Sequence, residues 1–187
     1  PYFNKIWYDS NDEVVTISKV TDKIVSTASP EAYGCRIPHA VNSSIFYPFS
    51  RPEDKEKITA LKQKVIDASK NFNNPDKKVF FWNNRNARRK QSGTLIWWFK
   101  EWLDKVGHDK ASLLMHTDAQ DPHGQDLPHI LEHLKITDGQ VLLSTEKVDP
   151  RDLAAMYNMA DYTINISDAE GFGLATLESL ACGTPII

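Results

Sequence analysis

The pattern of apolar and polar positions predicts strands alternating with helices along most of the chain. Continuous apolar runs predict strands buried on both faces at 78–83, 112–117, 140–145 and 162–167, with a fifth at "TPII", 184–187. Apolar residues at helical spacing predict helices over 93–107, 126–134 and 149–160, and over the closing stretch before "TPII". This alternation predicts an α/β fold: a Rossmann-like parallel sheet with helices on both faces.

Local signals place several of the helix ends. Asp126 and Asp149 stand where helices begin and are residues that cap helix N-termini, and Pro150 suits a first helical position. Gly107 is suited to end the preceding helix. On that helix, Leu95, Trp98, Trp102 and Val106 form the predicted buried stripe.

The first part of the chain is less regular. A strand is predicted over 12–18 and a helix over 19–28, followed by a proline-rich linker at 29–54 and a helix at 56–72. The chain has 187 residues, with 41% hydrophobic and 25% charged, which is typical of a globular protein. No apolar run is long enough for a membrane span, and the N-terminus lacks a secretory pattern. We expect a cytoplasmic protein whose Cys35 and Cys182 are buried free thiols.

The charges are unevenly distributed. Residues 77–100 contain seven Lys/Arg and no Asp/Glu, whereas residues 118–170 contain eleven Asp/Glu and three Lys/Arg. An isoelectric point near 6.1 argues against a nucleic-acid-binding surface, so we expect a small anion at the basic segment. Arg85 and Lys90 lie just past the strand at 78–83, where ligands of parallel sheets bind. Together they suit a diphosphate, although a solvated basic loop is the alternative.

The stretch "DAEGFGLATLE" follows the strand at 162–167. Gly171 and Gly173 remove side chains where a helix begins, so backbone N–H groups could meet a phosphate. Glu170 would repel a bare phosphate and suits hydroxyl or amine donors. Glu178, two helical turns further on, suits a ribose diol, although a solvated helix face is the alternative. A ligand with a sugar, a diphosphate and a ribose is a nucleotide-sugar.

These residues resemble a known family. "EGFGLATLESLACGTPII" is similar to the signature of retaining nucleotide-sugar glycosyltransferases of the group-1 (family 4) type, which have the two-lobed GT-B fold. Glu170 and Glu178 have its E-x7-E spacing, and Arg85 and Lys90 resemble its R-x4-K diphosphate clamp. "IPHAVNSSIFYP", 37–48, resembles its inter-lobe linker, and the segment 153–167 resembles the helix and strand before the signature.

The resemblance implies the following roles. Arg85 and Lys90 hold the diphosphate, Glu178 holds the ribose and Glu170 the transferred sugar. The backbone N–H groups near the phosphates are those of Gly171, Phe172, Gly173 and Leu174. Glu170, Arg85 and Lys90 would then support catalysis by stabilising the leaving diphosphate and positioning the reactants.

The resemblance also implies the reaction partners. The donor is a nucleotide-sugar, the acceptor is a hydroxyl on a glycan, lipid or protein, and transfer proceeds with retention. No metal or other cofactor is expected, nor a nucleic-acid partner. A cytoplasmic location follows, with a peripheral position at the inner membrane face as an alternative.

By this resemblance, residues 1–38 are a remnant of the N-terminal lobe, 39–74 the linker and connecting helix, and 75–187 a truncated nucleotide-sugar-binding lobe. We therefore expect donor binding, with turnover in doubt, and self-association through the exposed remnant. Asn84 and Gln91 stand where the family usually has glycine before the arginine and after the lysine, which predicts a different path for this loop.

Three other functions compete with this one. A nucleotide- or phosphate-binding module without catalysis is the first. The second is nucleic-acid binding through the basic segment "NRNARRKQ" and the nearby Trp82, Trp97 and Trp98, whose rings could stack on bases. We expect these three tryptophans to pack in the core instead. The third is a metal site, for which the candidate ligands are His116, Asp118, Asp121 and His123, or His129 and His133.

Overall fold

The computed structural model describes residues 2–187, except for the side chain of Tyr2, and divides into two compact units. The first unit runs to Ala40 and also contains Glu170–Leu174. The second unit comprises Val41–Ala169 and Ala175–Ile187. Among the described residues, no helix is both long and apolar enough to cross a membrane.

The first unit contains a two-stranded parallel sheet, and its elements are α1 (Tyr2–Asp9), β1 (Val14–Thr16), α2 (Lys19–Ala28) and β2 (Tyr33–Arg36). Ser18 caps α2, since its hydroxyl accepts a hydrogen bond from the N–H of Thr21 at 3.1 Å. The predicted strand and helix over 12–28 are confirmed. The sequence did not predict α1, and β2 lies inside the segment that was predicted as linker.

The second unit contains a four-stranded parallel sheet in the order β5-β4-β3-β6. Its strands are β3 (Lys78–Asn83), β4 (Ala111–His116), β5 (Val141–Ser144) and β6 (Tyr162–Thr163). The helices are α3 (Pro52–Asp67), α4 (Ser92–Val106), α5 (Leu127–Leu134) and α6 (Pro150–Met159). A further helix, α7 (Leu174–Ala181), belongs to the second unit except for its first residue, Leu174, which is assigned to the first unit.

The predicted helix ends are confirmed. The carboxylate of Asp126 accepts from the N–H of His129 at 3.2 Å, and that of Asp149 accepts from the N–H of Arg151 at 2.8 Å. Pro150 is the first residue of α6. α4 ends at Gly107, whose φ of 111° lies in the region that only glycine adopts easily.

The last two predicted strands are much shorter than expected. β6 contains two residues, and "TPII" contributes a single bridge between Ile186 and Thr163. The side-chain oxygen of Asn165 accepts hydrogen bonds from the backbone N–H and the hydroxyl of Ser167. The backbone N–H of Asn165 still donates to the carbonyl of Ile187 at 3.0 Å, so irregular pairing continues past the last residue of β6.

Two hydrophobic clusters pack on opposite sides of the second sheet, as predicted for helices on both faces. Successive residues of a strand point to opposite faces, so Trp82 and Met115 belong to the cluster with α4 and α5. Phe81 and Leu114 belong to the cluster with α3 and α6.

The predicted buried stripe of α4 is right for Leu95 and wrong for Trp98, Trp102 and Val106. Trp98 is 55% exposed, and Trp97, Trp102 and Val106 are also exposed. Besides Leu95, the residues that face the core are Ile96, Phe99 and Leu103. Apolar residues lie on most sides of this helix, so their spacing alone does not determine which stripe is buried.

The predictions for the remaining aromatic and thiol side chains are mixed. Trp82 is fully buried, which confirms its core position, whereas the core positions predicted for Trp97 and Trp98 are wrong. Cys182 is buried as predicted, but Cys35 is exposed on the short strand β2. A two-stranded sheet covers few side chains, which accounts for the exposure of Cys35.

Candidate functional site

Polar side chains line the carboxyl ends of three neighbouring strands. Asn83, His116 and Ser144 end β3, β4 and β5 and lie side by side in register. Nδ1 of His116 lies 3.0 Å from the hydroxyl of Ser144. Burial lowers the pKa of His116, so its imidazole is neutral at neutral pH. This row of side chains marks the ligand-binding edge of a parallel sheet.

Arg85 follows β3 by two residues and forms an ion pair with Asp121. Its Nε donates to Oδ2 of Asp121 at 2.6 Å, and Nη2 donates to Oδ1 at 3.2 Å. The Asp121 side chain is 7% exposed, whereas that of Arg85 is 62% exposed. The hydrogen bonds from Arg85, and then from the backbone N–H of His123, hold the pKa of Asp121 well below its usual range. Arg85 is therefore held in place rather than freely solvated.

The sequence did not predict this pairing, because Asp121 was considered only as a metal ligand. The two residues are far apart along the chain, but they follow adjacent strands of the sheet. Opposite charges just after neighbouring parallel strands are the signal that could have identified the pair.

Asn86 fixes the path of the loop after β3. Its side chain is fully buried, donates to the carbonyl of Gln125 at 2.6 Å and accepts from the hydroxyl of Ser92 at 2.7 Å. A Cβ at Gly124 would lie 1.9 Å from the backbone oxygen of Asn86. This close approach therefore requires glycine at position 124. The loop after β4, which contains Gly124, packs directly against the loop after β3.

Lys90 is the last residue of a 3-10 turn at Arg88–Lys90 and is buried. Its Nζ donates to the side-chain oxygen of Asn84 at 2.7 Å. Asn84 stands where the resembled family usually has glycine. Its side-chain oxygen therefore accepts a hydrogen bond from the predicted clamp lysine that a glycine could not accept.

Gln91 has a left-handed backbone, with φ 57° and ψ 34°, although a glycine would adopt it with less strain. Its side chain donates to Asp168 at 2.7 Å and accepts from the hydroxyl of Thr94 at 2.8 Å. These two hydrogen bonds offset part of the strain. The position thus has a conformation that favours the glycine usually found there.

The segment just before Glu170 is hydrogen-bonded to the same 3-10 turn. The N–H of Asp168 donates to the carbonyl of Arg89 at 2.8 Å, and Nη1 of Arg89 donates to the carbonyl of Ala169 at 3.0 Å. The 3-10 turn is therefore joined by two hydrogen bonds to Asp168 and Ala169 within the second unit.

The glycine-containing loop, Glu170–Leu174, belongs to the first unit. Glu170 and Gly171 are exposed, and the Phe172 ring meets the His39 ring edge-on with centroids 5.2 Å apart. Gly173 has a φ of 87°, just before α7 begins at Leu174. A Cβ built at Gly171 would meet no atom within 4 Å, so packing within the chain does not require a glycine at this position.

Glu178 lies on α7 and is half-buried, so the alternative that it lies on a solvated helix face is wrong. Its Oε2 accepts a hydrogen bond from the hydroxyl of Tyr157 at 2.8 Å, and that hydroxyl accepts from Nδ2 of Asn83 at 2.9 Å. Burial raises the pKa of Glu178, while the hydrogen bond from Tyr157 lowers it. Burial and the neighbouring Glu178 raise the pKa of Tyr157, which stays protonated.

Of the candidate metal ligands, Asp121 and His123 lie 3.4 Å apart, without a third ligand beside them among the described residues. Within the described part of the chain, no three His, Cys, Asp or Glu side chains form a cluster that could hold a metal ion. Asp121 is paired with Arg85, and His129 and His133 lie exposed on α5.

Comparisons with known proteins agree with the predicted family. A family model described as glycosyl transferases group 1 matches residues 62–187. The curated protein alpha-monoglucosyldiacylglycerol synthase of Streptococcus pneumoniae is 38% identical over 79 residues, which are 42% of this chain and 17% of that protein.

Solved structures share the fold at low sequence identity. A glycosyltransferase from Rickettsia africae gives a TM-score of 0.71 at 20% identity, over 100% of this chain and 47% of its own. Sucrose-phosphate synthase from Thermosynechococcus elongatus gives a TM-score of 0.70 at 22% sequence identity, and the match covers 98% of this chain and 42% of the synthase. The chain thus spans less than half the length of these relatives. The predicted Rossmann-like α/β fold is confirmed, and because the family model covers well over half of the sequence, the chain belongs to the group-1 glycosyl transferases.

Proposed function

We propose that the protein transfers a sugar from a nucleotide-diphosphate-sugar to an acceptor hydroxyl with retention, and that this chain supplies the donor-binding part. One observation carries the proposal. Arg85 and Lys90 both lie just past the carboxyl end of β3, where Asp121 holds Arg85 and Asn84 holds Lys90, as expected for a diphosphate clamp.

The diphosphate would be held by Arg85, Lys90 and the loop before α7. An arginine has five N–H donors. Asp121 accepts from Nε and Nη2, and Nη2 also lies 3.2 Å from Nδ1 of His123. Among the hydrogen bonds of the described residues, none involves Nη1, which therefore suits phosphate oxygens. Backbone N–H groups from Gly171 to Leu174 precede or begin a helix, where the helix dipole favours an anion. The cationic side chains and this helix start would take the place of a metal ion.

The ribose and the sugar would be held by the two glutamates. Glu178 keeps one carboxylate oxygen engaged with Tyr157, and the other suits the hydroxyls of a ribose diol. Glu170 is exposed and, as an acceptor-only group when ionised, suits hydroxyls of the transferred sugar.

The chemical step then needs charge stabilisation and positioning. The bond between the anomeric carbon and the diphosphate breaks, and its electron pair leaves with the phosphate oxygen. The acceptor oxygen bonds to the same carbon on the same face, and its proton passes to the departing phosphate. Arg85 and Lys90 would stabilise the negative charge that grows on the leaving group.

A thermal-shift series tests the proposal on the 187-residue chain. A ligand that binds only the folded state raises the melting temperature, so UDP, GDP or ADP should raise it more than the matching nucleoside. A short oligonucleotide is the contrasting ligand, because Trp97 and Trp98 are exposed and could stack on bases. A shift with the oligonucleotide and none with any nucleoside diphosphate would overturn the proposal.

The proposal also covers assembly and location. Phe3, Ile6, Trp7 and Val20 of the first unit are all more than half exposed, so two copies could associate through them. Light scattering should then give a mass above that of one chain, and a Trp7→Ser variant should reduce it.

Donor and acceptor would meet in the cytoplasm, at the inner membrane face if the acceptor is a lipid.

A further inference from the structure

The Tyr157 ring is fixed in the hydrophobic core of the second unit. The residue is 1% exposed and lies on α6. Its ring meets those of Phe81 and Phe46 edge-on, with centroids 5.1 and 6.3 Å apart. Close packing on both sides holds the ring in one orientation, so the position of its hydroxyl is also fixed.

The hydrogen bonds of this hydroxyl have a defined direction. Nδ2 of Asn83 donates to the Tyr157 oxygen at 2.9 Å, which leaves the hydroxyl proton to be donated to Oε2 of Glu178 at 2.8 Å. Asn83 ends β3, the strand that leads to Arg85. Among the hydrogen bonds of the described residues, none reaches Oε1 of Glu178, so that oxygen remains available.

We propose that Tyr157 is a positioning residue that holds one oxygen of Glu178, aims the other at the ribose hydroxyls, and thereby makes the site prefer ribonucleotides. This inference rests on the proposed role of Glu178. Tyr157 itself touches no substrate and acts only through the glutamate.

Packing alone does not account for the hydroxyl. A phenylalanine would fill the same space between Phe81 and Phe46, without a buried polar group that needs partners. The hydroxyl instead connects the rigid sheet, through Asn83, to a half-buried carboxylate on α7. Its hydrogen bond also counters the effect of burial on the pKa of Glu178, which favours the ionised form that accepts from a diol.

Calorimetry on the 187-residue chain tests the inference. Two ligands are compared: whichever of UDP, GDP and ADP binds most tightly, and the 2′,3′-dideoxy analogue of that nucleotide. The two ligands differ only in the ribose hydroxyls. The wild-type chain should bind the ribonucleotide about tenfold more tightly, the usual scale for a hydrogen bond to a charged group. Tyr157→Phe should lose about tenfold for the ribonucleotide and nothing for the dideoxy analogue.

Two further variants separate positioning from folding. Asn83→Asp keeps the Tyr157 ring, but its carboxylate would accept the hydroxyl proton in place of Glu178, so the ribose preference should also collapse. Tyr47→Phe is the matched control, because Tyr47 packs beside the same cluster and is not bonded to Glu178. It should leave the preference unchanged.

The outcomes distinguish the inference from the proposed function. If Tyr157→Phe and Asn83→Asp keep the wild-type preference, the positioning role of Tyr157 is overturned while donor binding stands. An equal loss for both ligands in Tyr157→Phe would reduce Tyr157 to a packing role. If the wild-type chain shows no preference, or binds no nucleoside diphosphate, the role of Glu178 fails and the inference fails with it.

Discussion

Nε of Arg85 lies 2.6 Å from Oδ2 of Asp121, a carboxylate that is almost fully buried although the guanidinium is largely exposed. The buried partner fixes the orientation of the exposed cation. An arginine held in this way needs little reordering when it binds a phosphate, and no hydrogen bond of the described residues involves its Nη1. The ion pair therefore prepares the loop after β3 for an anionic ligand.

The first prediction concerns this arginine. Arg85→Ala should weaken the binding of a nucleoside diphosphate by about tenfold or more, and leave the binding of the nucleoside unchanged. Arg88→Ala is the matched control in the same loop, since Arg88 is exposed and carries the same charge. Calorimetry of the three chains provides the comparison, and equal losses in both variants would mean that Arg85 contributes only general charge.

The second prediction separates the two glycines before α7. Gly171→Ala should change the free energy of unfolding by no more than about 0.5 kcal/mol, because its methyl group meets open space. It should nevertheless weaken diphosphate binding severalfold, since the methyl group would occupy space that the ligand needs. Gly173→Ala should instead cost about 1 kcal/mol, because φ is 87° there.

Urea unfolding measures the stability of the two glycine variants, and calorimetry measures their affinity. Wild-type affinity in Gly171→Ala would contradict a close approach of the ligand to this backbone.

The third prediction concerns pH. Burial raises the pKa of Glu178 above the ordinary value of 4.5. The ribose preference should therefore fall as the pH decreases from neutral towards 4.5, because a protonated carboxyl loses acceptor capacity. Glu178→Gln should show a low preference at every pH. A wild-type preference that does not change over this range would contradict the prediction.

The effect of Glu178 on stability has the opposite sign. With a raised pKa, the folded chain binds this proton more tightly than the unfolded chain does. The contribution of Glu178 to stability is thus lowest above its folded pKa and rises as the pH falls through that pKa. The stability difference between wild type and Glu178→Gln should change with pH in that direction, as measured by urea unfolding.

The fourth prediction concerns Gln91, which has a left-handed backbone held by side-chain hydrogen bonds. Gln91→Gly removes the strain together with those bonds, so the two effects should nearly cancel. Gln91→Ala removes the bonds and keeps the strain, and should be about 1–2 kcal/mol less stable than Gln91→Gly. Chemical unfolding of the two variants measures the difference, and equal stabilities would show that the backbone at this position is unstrained.

The fifth prediction tests which stripe of α4 faces the core. Leu103→Ala should lower the free energy of unfolding by about 2–5 kcal/mol, because Leu103 is fully buried and its removal leaves a cavity. Trp98→Ala should cost no more than about 1 kcal/mol, because Trp98 is 55% exposed. If urea unfolding gave a larger loss of stability for Trp98→Ala than for Leu103→Ala, the stripe predicted from the spacing would be the one that faces the core.

The sequence predicts this fold well where a signal is local. The caps Asp126 and Asp149 act within three residues of themselves, and both helix starts are confirmed. It fails where packing decides, as on α4, whose two possible stripes are both apolar. The strand predicted at 162–167 is regular only over Tyr162–Thr163, and the pairing beyond it is irregular.

The site is only partly predictable for the same reason. Spacing predicts Arg85, Lys90 and Glu178 as site residues, but it does not predict their hydrogen-bond partners Asp121, Asn84 and Tyr157. Two of those partners lie far along the chain and come close only through the order of strands and helices. Asn84 is a neighbour of Arg85, yet its role depends on the 3-10 turn that brings Lys90 back towards it.

Titration of the isotopically labelled chain with a nucleoside diphosphate, followed through its backbone amide resonances, tests the donor-binding claim most directly. The account predicts that UDP, GDP or ADP shifts the amides of residues 84–91 and 170–175 together, at one common affinity. Shifts confined to α4 and α5, or two loops that respond at different affinities, would contradict a shared diphosphate site.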